Sequence, residues 1–225
     1  MCRLWVCESM VELADSELGI PVQKFDIKDT QHWRDFEGWF NEHYPNSPHK
    51  ILEHYWSYLS IQSFPKAIVI DVAADQSPYA DYIEYCHFNT EVWKQDLSYE
   101  DDGYKIIGGW AADIPEDFNG RVDVMTLHCS FEHFEGDEDM RFIQNCGRLL
   151  AKRGRVLIAP IYTWHEYRET APQPSPNTGF GRFYSAEALA HRVLDQLDDG
   201  LVAHAENVFF EGEYRFRALV IEREM

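Results

Sequence analysis

From residue 67 onward, short apolar runs and amphipathic stretches follow one another along the chain. "AIVIDV" (67–72) is a β-branched run that predicts a buried strand. "SPYADYIEYC" (77–86) reads as a helix with Ser77 at the N-cap and Pro78 in the first turn. "EVWKQDL" is a second strand, ending on Asp96, "YKIIGGW" a third, and "VDVMTLHC" a fourth that ends on His128 and Cys129. "DEDMRFIQNCGRLLAKRG" (137–154) has acids in its first turn, bases in its last and Gly154 as a stop, which suits a helix and its dipole. "RVLIAPIY" is a fifth strand.

A long stretch with prolines and glycines (163–184) predicts a loop, and "SAEALAHRVLDQL" (185–197) a helix. Residues 201–224 read as two strands around Glu211–Gly212–Glu213, a connection short enough to require an antiparallel pair. Strands alternating with helices predict a sheet covered on both faces, parallel except for the terminal hairpin.

The first 64 residues have another texture. Residues 1–20 pattern as a short amphipathic helix carrying Leu4, Val11 and Leu13. Residues 28–62 are rich in aromatics, and "SPHKILEHYWSYLSI" predicts a helix with Ser47 as N-cap, Pro48 at its start and Ile51, Tyr55 and Leu59 on one face. Aromatics at helical spacing are core in the ordinary case. The expected division is a helical extension or lid over 1–64 and an α/β domain over 65–225.

Composition narrows the function classes. Acids outnumber bases 39 to 20, a net charge of −19. Such a surface repels phosphate backbones, so no nucleic-acid partner is expected; a basic protein partner, or a homodimer, is compatible with it. The five cysteines are odd in number and lack CxxC spacing, which signals neither a disulfide framework nor a zinc site. No apolar run reaches the ~20 residues of a membrane span, and no signal peptide is read at the N-terminus. A reducing cytoplasm is the natural location on these grounds.

In their order, and in the residues at the strand ends, these elements resemble the class I S-adenosylmethionine (SAM)-dependent methyltransferases, particularly the broad type 11 group, over roughly residues 65–223. "IVIDVAADQS" stands where that family has a strand, an acid and a glycine-rich turn. "VWKQDLSY" matches its second strand, and "GGWAADIPEDFNGRVDVMTLHCSFEHFEGDEDMRFI" its adenine segment, fourth strand and following loop. "GRLLAKRGRVLIAPIY" is similar to its approach to strand five.

The resemblance implies a Rossmann-like seven-stranded sheet with an antiparallel last strand, SAM as cofactor and a small-molecule acceptor, with oxygen as the accepting atom. It implies that Asp71 orients the methionyl ammonium through water, and that Ala73, Asp75 and Ser77 form the cofactor turn. Asp96 would hold the ribose hydroxyls, and Trp110 and Ala111 would lie against the adenine. His128 and Ser130 would face the methyl group. His128 and His133 are the leading candidates for proton transfer, with Tyr162 and His165 behind them. Arg182 and Tyr184 are candidates for substrate contact or for packing.

Some family members bind a divalent metal with a similar Glu-His pair and a further acid. Here Cys129 stands at the acid's position, so no metal is expected at Glu132 and His133.

Two departures bear on this. "AADQS" has no glycine, and Asp75 and Ser77 would need a backbone path different from the family's. Trp110 stands where an acid is usual. The glycine-free turn keeps a second function open, a catalytically inactive homologue that binds or regulates a partner. A dinucleotide oxidoreductase is disfavoured, because Asp71 and Asp75 would oppose a pyrophosphate, whereas the sulfonium and ammonium of SAM suit carboxylates.

Overall fold

The structure is a computed structural model and describes residues 12–45, 50–87, 89–100, 104–170 and 180–224. Its centre is an eight-stranded sheet in the order β1-β9-β10-β6-β5-β2-β3-β4. The strands are β1 (Val22–Ile27), β2 (Ile68–Val72), β3 (Glu91–Asp96), β4 (Ile106–Gly108), β5 (Val122–His128), β6 (Leu150–Ala159), β9 (Leu201–Phe210) and β10 (Glu213–Arg223). Each parallel pairing joins strands separated in sequence, and β10 alone runs antiparallel to its neighbours β6 and β9. The expected architecture is present with one strand more than the seven anticipated.

The added strand is β1, "VQKFDI", parallel to β9 at the sheet edge. Edge strands take charged residues and need only one buried face, so this one leaves no apolar run to read. Residues 22–27 thus belong to the sheet although they precede residue 64. Leu13 and Leu18 are buried in the core beside it, and a single 3-10 turn (Asp15–Glu17) is the helical structure of residues 12–20. Leu4 and Val11 of the expected helix lie outside the described residues, as do Ser47 and Pro48.

Strand side chains alternate between faces, and two apolar cores result. Ile70, Met125, Leu127, Val156, Ile158, Leu219 and Ile221 join the core under α4 (Glu138–Leu149) and α5 (Ala186–Arg192). Val69, Val124, Leu157, Ala218 and Val220 join the core under α1 (Gln31–His43), α2 (Ile51–Ile61) and α3 (Tyr79–Cys86). Thr30 caps α1 by accepting from the Trp33 amide at 3.2 Å. Ser77 lies one residue outside the cap of α3, and its hydroxyl accepts from the Tyr79 amide at 3.2 Å. No helix among the described residues is long and apolar enough to cross a membrane.

Three boundaries differ from expectation. The helix starting near residue 137 stops at Leu149, and the chain enters β6 at Leu150. Gly154 therefore sits inside a strand, where β6 shifts register against β5 and Arg153 takes a left-handed φ of 67°. The expected loop 163–184 contains a two-stranded antiparallel sheet, β7 (Arg168–Thr170) with β8 (Gly181–Phe183). The helix from residue 185 ends at Arg192 and gives way to a 3-10 turn over Leu194–Gln196. The hairpin turn is as anticipated: Glu211 and Gly212 both take positive φ, 52° and 85°, which matches the twist of the flanking strands.

A β-carbon at Gly154 would lie 2.7 Å from the carbonyl oxygen of Val122 and 2.9 Å from that of Ala151, both backbone atoms. At Gly147 the obstruction is the Asp198 side chain, which can swing aside. Gly154→Ala is accordingly expected to cost about 1–3 kcal/mol in a denaturant titration. Gly147→Ala should cost clearly less in the same titration.

Candidate functional site

β2 delivers Asp71 and Val72 to the C-terminal edge of the sheet, where the chain turns through residues 73–77 into α3. Ala73 has φ 52° and Asp75 has φ 44°. Both are left-handed, the conformation that glycine adopts freely and that costs another residue about 1–2 kcal/mol. The different path expected for Asp75 is not taken; its backbone does what a glycine would do.

The end of β3 holds this turn in place. The Ala73 amide donates to Gln95 Oε1 at 3.1 Å, and the Ala74 amide to the Gln95 carbonyl at 2.9 Å. The Asp75 amide donates to Asp96 Oδ2 at 3.0 Å, and the Tyr99 hydroxyl donates to the Asp75 carbonyl. Gln95 Nε2 also donates to the Gly109 carbonyl at 2.5 Å, tying in the exit of β4. Each such bond contributes about 1 kcal/mol, so the set is of the size needed to offset two strained residues. Asp96 Oδ1 accepts from the Ser98 amide (2.8 Å) and hydroxyl (2.7 Å), which fixes the carboxylate's orientation.

Beneath the turn runs a buried polar seam on the α1-α2-α3 face. Asp71 Oδ1 accepts from the Thr126 hydroxyl at 2.9 Å and lies 3.5 Å from His128 Nδ1. Asp71 Oδ2 is buried with no hydrogen-bond partner. Desolvation raises the Asp71 carboxyl to a pKa of about 6, an effect that the neighbouring histidine His54 and the Thr126 bond only partly counter. His128 Nε2 is 2.7 Å from Ser57 Oγ, which is 2.6 Å from the Tyr79 hydroxyl. Burial lowers the His128 pKa to about 3, with the Lys50 charge a smaller contributor, so the ring is neutral near pH 7. The His54 ring lies tilted against it, with ring centroids 4.2 Å apart and planes at 31°, and burial first and then His128 hold its pKa well below the usual histidine range. His54 Nε2 reaches Ser77 Oγ at 3.2 Å, which links α2 to the turn.

These elements enclose a cavity of about 580 Å3 at the C-terminal strand ends, where open α/β sheets bind ligands. The ten residues given cofactor-binding or leading proton-transfer roles from the sequence line it. Asp71, Ala73, Asp75 and Ser77 come from the β2 exit, and Asp96 from β3. Trp110 and Ala111 follow β4, and His128, Ser130 and His133 surround the end of β5. Trp110 is 44% exposed at the rim, while Ala111 is buried. Glu138 holds the Trp110 turn by accepting from the Ala112 amide at 3.0 Å. The Ser130 hydroxyl is buried without a hydrogen-bond partner.

His133 keeps a side chain 43% exposed, and its Nδ1 bonds the Phe180 carbonyl. A carbonyl only accepts, so Nδ1 carries the proton and Nε2 is the basic atom of the neutral ring. Nε2 lies 3.6 Å from Oε1 of Glu132, a buried carboxyl whose pKa desolvation raises.

Tyr162, His165, Arg182 and Tyr184 do not line the cavity. Arg182 is fully buried and pairs with Asp139 at 2.7 Å; Tyr184 donates to the same carboxylate at 2.8 Å. Both pack β8 onto α4. Among the described residues no three His, Cys, Asp or Glu side chains converge as a metal cluster would.

Sequence reasoning missed Gln95, His54, Lys50 and Tyr44, which also line the cavity. Gln95 carried a signal, a polar residue at a buried strand position beside a strand-end acid. The others lie in the aromatic-rich N-terminal segment, whose pattern speaks only of packing.

No protein-family model and no curated protein matches the chain. Solved structures do. One is the Burkholderia thailandensis 1,6-didemethyltoxoflavin-N1-methyltransferase with bound 1,6-didemethyltoxoflavin and S-adenosylhomocysteine. It superposes with TM-score 0.59 at 12% identity, covering 86% of this chain and 88% of that one. A sugar N-methyltransferase from Streptoalloteichus superposes with TM-score 0.56 at 14% identity, over 84% and 92% of the two chains. A SAM-dependent methyltransferase from Archaeoglobus fulgidus gives TM-score 0.51 at 9% identity, over 84% and 100%. The chain has the class I methyltransferase fold.

Proposed function

We propose that this chain is a SAM-dependent methyltransferase acting on a small molecule. The observation that carries the reading is the turn 73–77. It keeps left-handed backbone at Ala73 and Asp75 without glycine, braced by Gln95 and Asp96, on the wall of the cavity. Backbone strain is retained where the surrounding structure enforces it, and such places cluster at ligand sites. The donor set suits SAM: a buried carboxylate oxygen of Asp71 lacks a partner, and Asp96 presents a fixed carboxylate at the next strand end. Both welcome a cationic or hydroxyl-bearing ligand, and neither suits a pyrophosphate.

In this reading Asp71 faces the ammonium and Asp96 the ribose hydroxyls. Trp110 and Ala111 border the adenine, and Ser130 lies near the transferring group. Bound there, SAM supplies an electrophilic methyl group, and the protein supplies alignment and exclusion of water. His128 is neutral, buried and engaged with Ser57, so it orients Asp71 rather than taking a proton. His133, with Nε2 basic and solvent within reach, is the residue we assign to accepting a proton from the substrate. An oxygen acceptor rests on the family resemblance alone. The inactive-homologue reading took its force from the missing glycines, and the glycine-like course of the turn weakens it.

Calorimetric titration with S-adenosylhomocysteine tests the reading. Wild type should bind in the micromolar range, and Asp96→Ala should weaken binding by about 1–3 kcal/mol for a lost bond to a charged group. Absence of binding to folded wild type would refute the assignment.

The pH dependence is a second test. Asp71 has its pKa raised to about 6 in the free protein, and the ligand ammonium needs it ionised. Affinity should be level above pH 6 and fall towards tenfold per unit below it. Asp71→Asn should bind weakly and lose that slope.

A further inference from the structure

The charges of the cavity bear on which atom receives the methyl group. Asp71, Asp75, Asp96, Glu135 and Glu138 line it, and Lys50 is the single lysine or arginine among the described lining residues. Lys50 already has a partner in the chain. The charge of Glu138 is met by Arg141 at 2.6 Å. Asp71 and Asp96, on β2 and β3, are the carboxylates assigned above to the cofactor. Another group of acids gathers around the end of β5, beside His133.

Glu135, two residues after His133, is exposed on the cavity wall. Glu132 is buried with neither carboxylate oxygen hydrogen-bonded, and its Oε1 lies 3.6 Å from His133 Nε2. Glu53 of α2 accepts from Cys129 Sγ at 3.1 Å. Between these, the Ser130 hydroxyl lines the cavity, buried and without a hydrogen-bond partner. Tyr44, Trp110 and Phe134 add aromatic surface to the same cavity.

An oxygen acceptor gains negative charge as it loses its proton, and carboxylates at this end oppose that. An amine arrives as an ammonium, which carboxylates and aromatic rings attract. It must shed a proton before its nitrogen can attack, and that calls for a base. The charge then passes to His133, whose imidazolium stands beside Glu132.

We propose that the methyl acceptor is an amine, bound as its ammonium at the end of β5 by Glu135 and the Ser130 hydroxyl and deprotonated by His133. This rests on the SAM reading above and sets aside the oxygen acceptor that the family resemblance implies. The ammonium gives one proton to His133 Nε2. The nitrogen lone pair then forms the N–C bond as the C–S bond of SAM breaks, with that bond's electron pair staying on sulfur. The products are a methylated ammonium and S-adenosylhomocysteine.

The test uses three probes of similar shape and different charge: benzylamine as a cation, benzyl alcohol as a neutral molecule and benzoate as an anion. Each is titrated at pH 7 into wild type saturated with S-adenosylhomocysteine, and binding is read from protein NMR shifts of the cavity residues. Benzylamine should bind about tenfold tighter than benzyl alcohol or better, the size of a hydrogen bond to a charged group, with benzoate weakest. Glu135→Lys should reverse the order of benzylamine and benzoate, and Glu135→Asp should keep it. Thermal melts check that both variants fold.

The proposal is overturned if benzyl alcohol or benzoate binds wild type as tightly as benzylamine, or if none of the three shifts the cavity resonances. It is also overturned if folded Glu135→Lys keeps the wild-type order. Failure of the SAM reading shows separately, as absence of S-adenosylhomocysteine binding to wild type before any probe is added.

Discussion

Two residues that lack glycine's freedom, Ala73 and Asp75, carry left-handed backbone where β2 hands the chain to α3. Everything at the strand ends is arranged around that constraint. The strain is of order 1–2 kcal/mol per residue, and it is met locally by the next strand. Gln95 accepts one turn amide with its side chain and another with its carbonyl, and Asp96 accepts a third. The same turn sets where α3 begins. That places Tyr79 against Ser57 and His128, and so positions the buried seam on which Asp71 sits.

The seam follows from strand alternation. In β2, Val69 and Asp71 share a face; in β5, Val124, Thr126 and His128 share the corresponding one. That face packs under α1, α2 and α3, so apolar residues fill its middle, and its polar residues emerge together at the C-terminal ends. A carboxylate, a hydroxyl and an imidazole thereby meet in a site closed to bulk water. The low dielectric there keeps His128 neutral and makes Asp71 reluctant to ionise. A cationic ligand beside Asp71 would relieve what burial imposes on it.

Much of this was legible in the chain. The strand-end residues Asp71, Asp96 and His128 could be placed because apolar runs mark strands and ligands collect at their ends. β1 was not legible, since an edge strand with Lys24 and Asp26 in it buries too little to leave a pattern. The course of the turn was not legible either: "AADQS" says nothing of Gln95, 22 residues beyond Ala73, or of Asp96, and the tolerance of Ala73 and Asp75 depends on those partners. Gly154 reads as a helix stop because glycine commonly ends helices, yet here it is required by the closeness of the Val122 backbone. Arg182 and Tyr184, beside a long loop, could be read equally as substrate contacts or as packing. Their full burial against Asp139 is a tertiary fact that no local pattern encodes.

The N-terminal helices are bound into the site rather than laid over it. Eight of the eleven residues of α2 are buried, and the helix is held at three points by directional bonds: His54 to Ser77, Ser57 to His128, and Trp56 Nε1 to Glu206 at 2.7 Å. Swinging α2 away as a cover would break all three and expose Trp56 and Tyr55 to water. The energy at stake is several hydrogen bonds and two large aromatic side chains at about 1.5–3 kcal/mol each. In this structure α2 is a wall of the cavity. Access is left to the rim, where Leu97 and Trp110 are the exposed large apolar side chains among the lining residues.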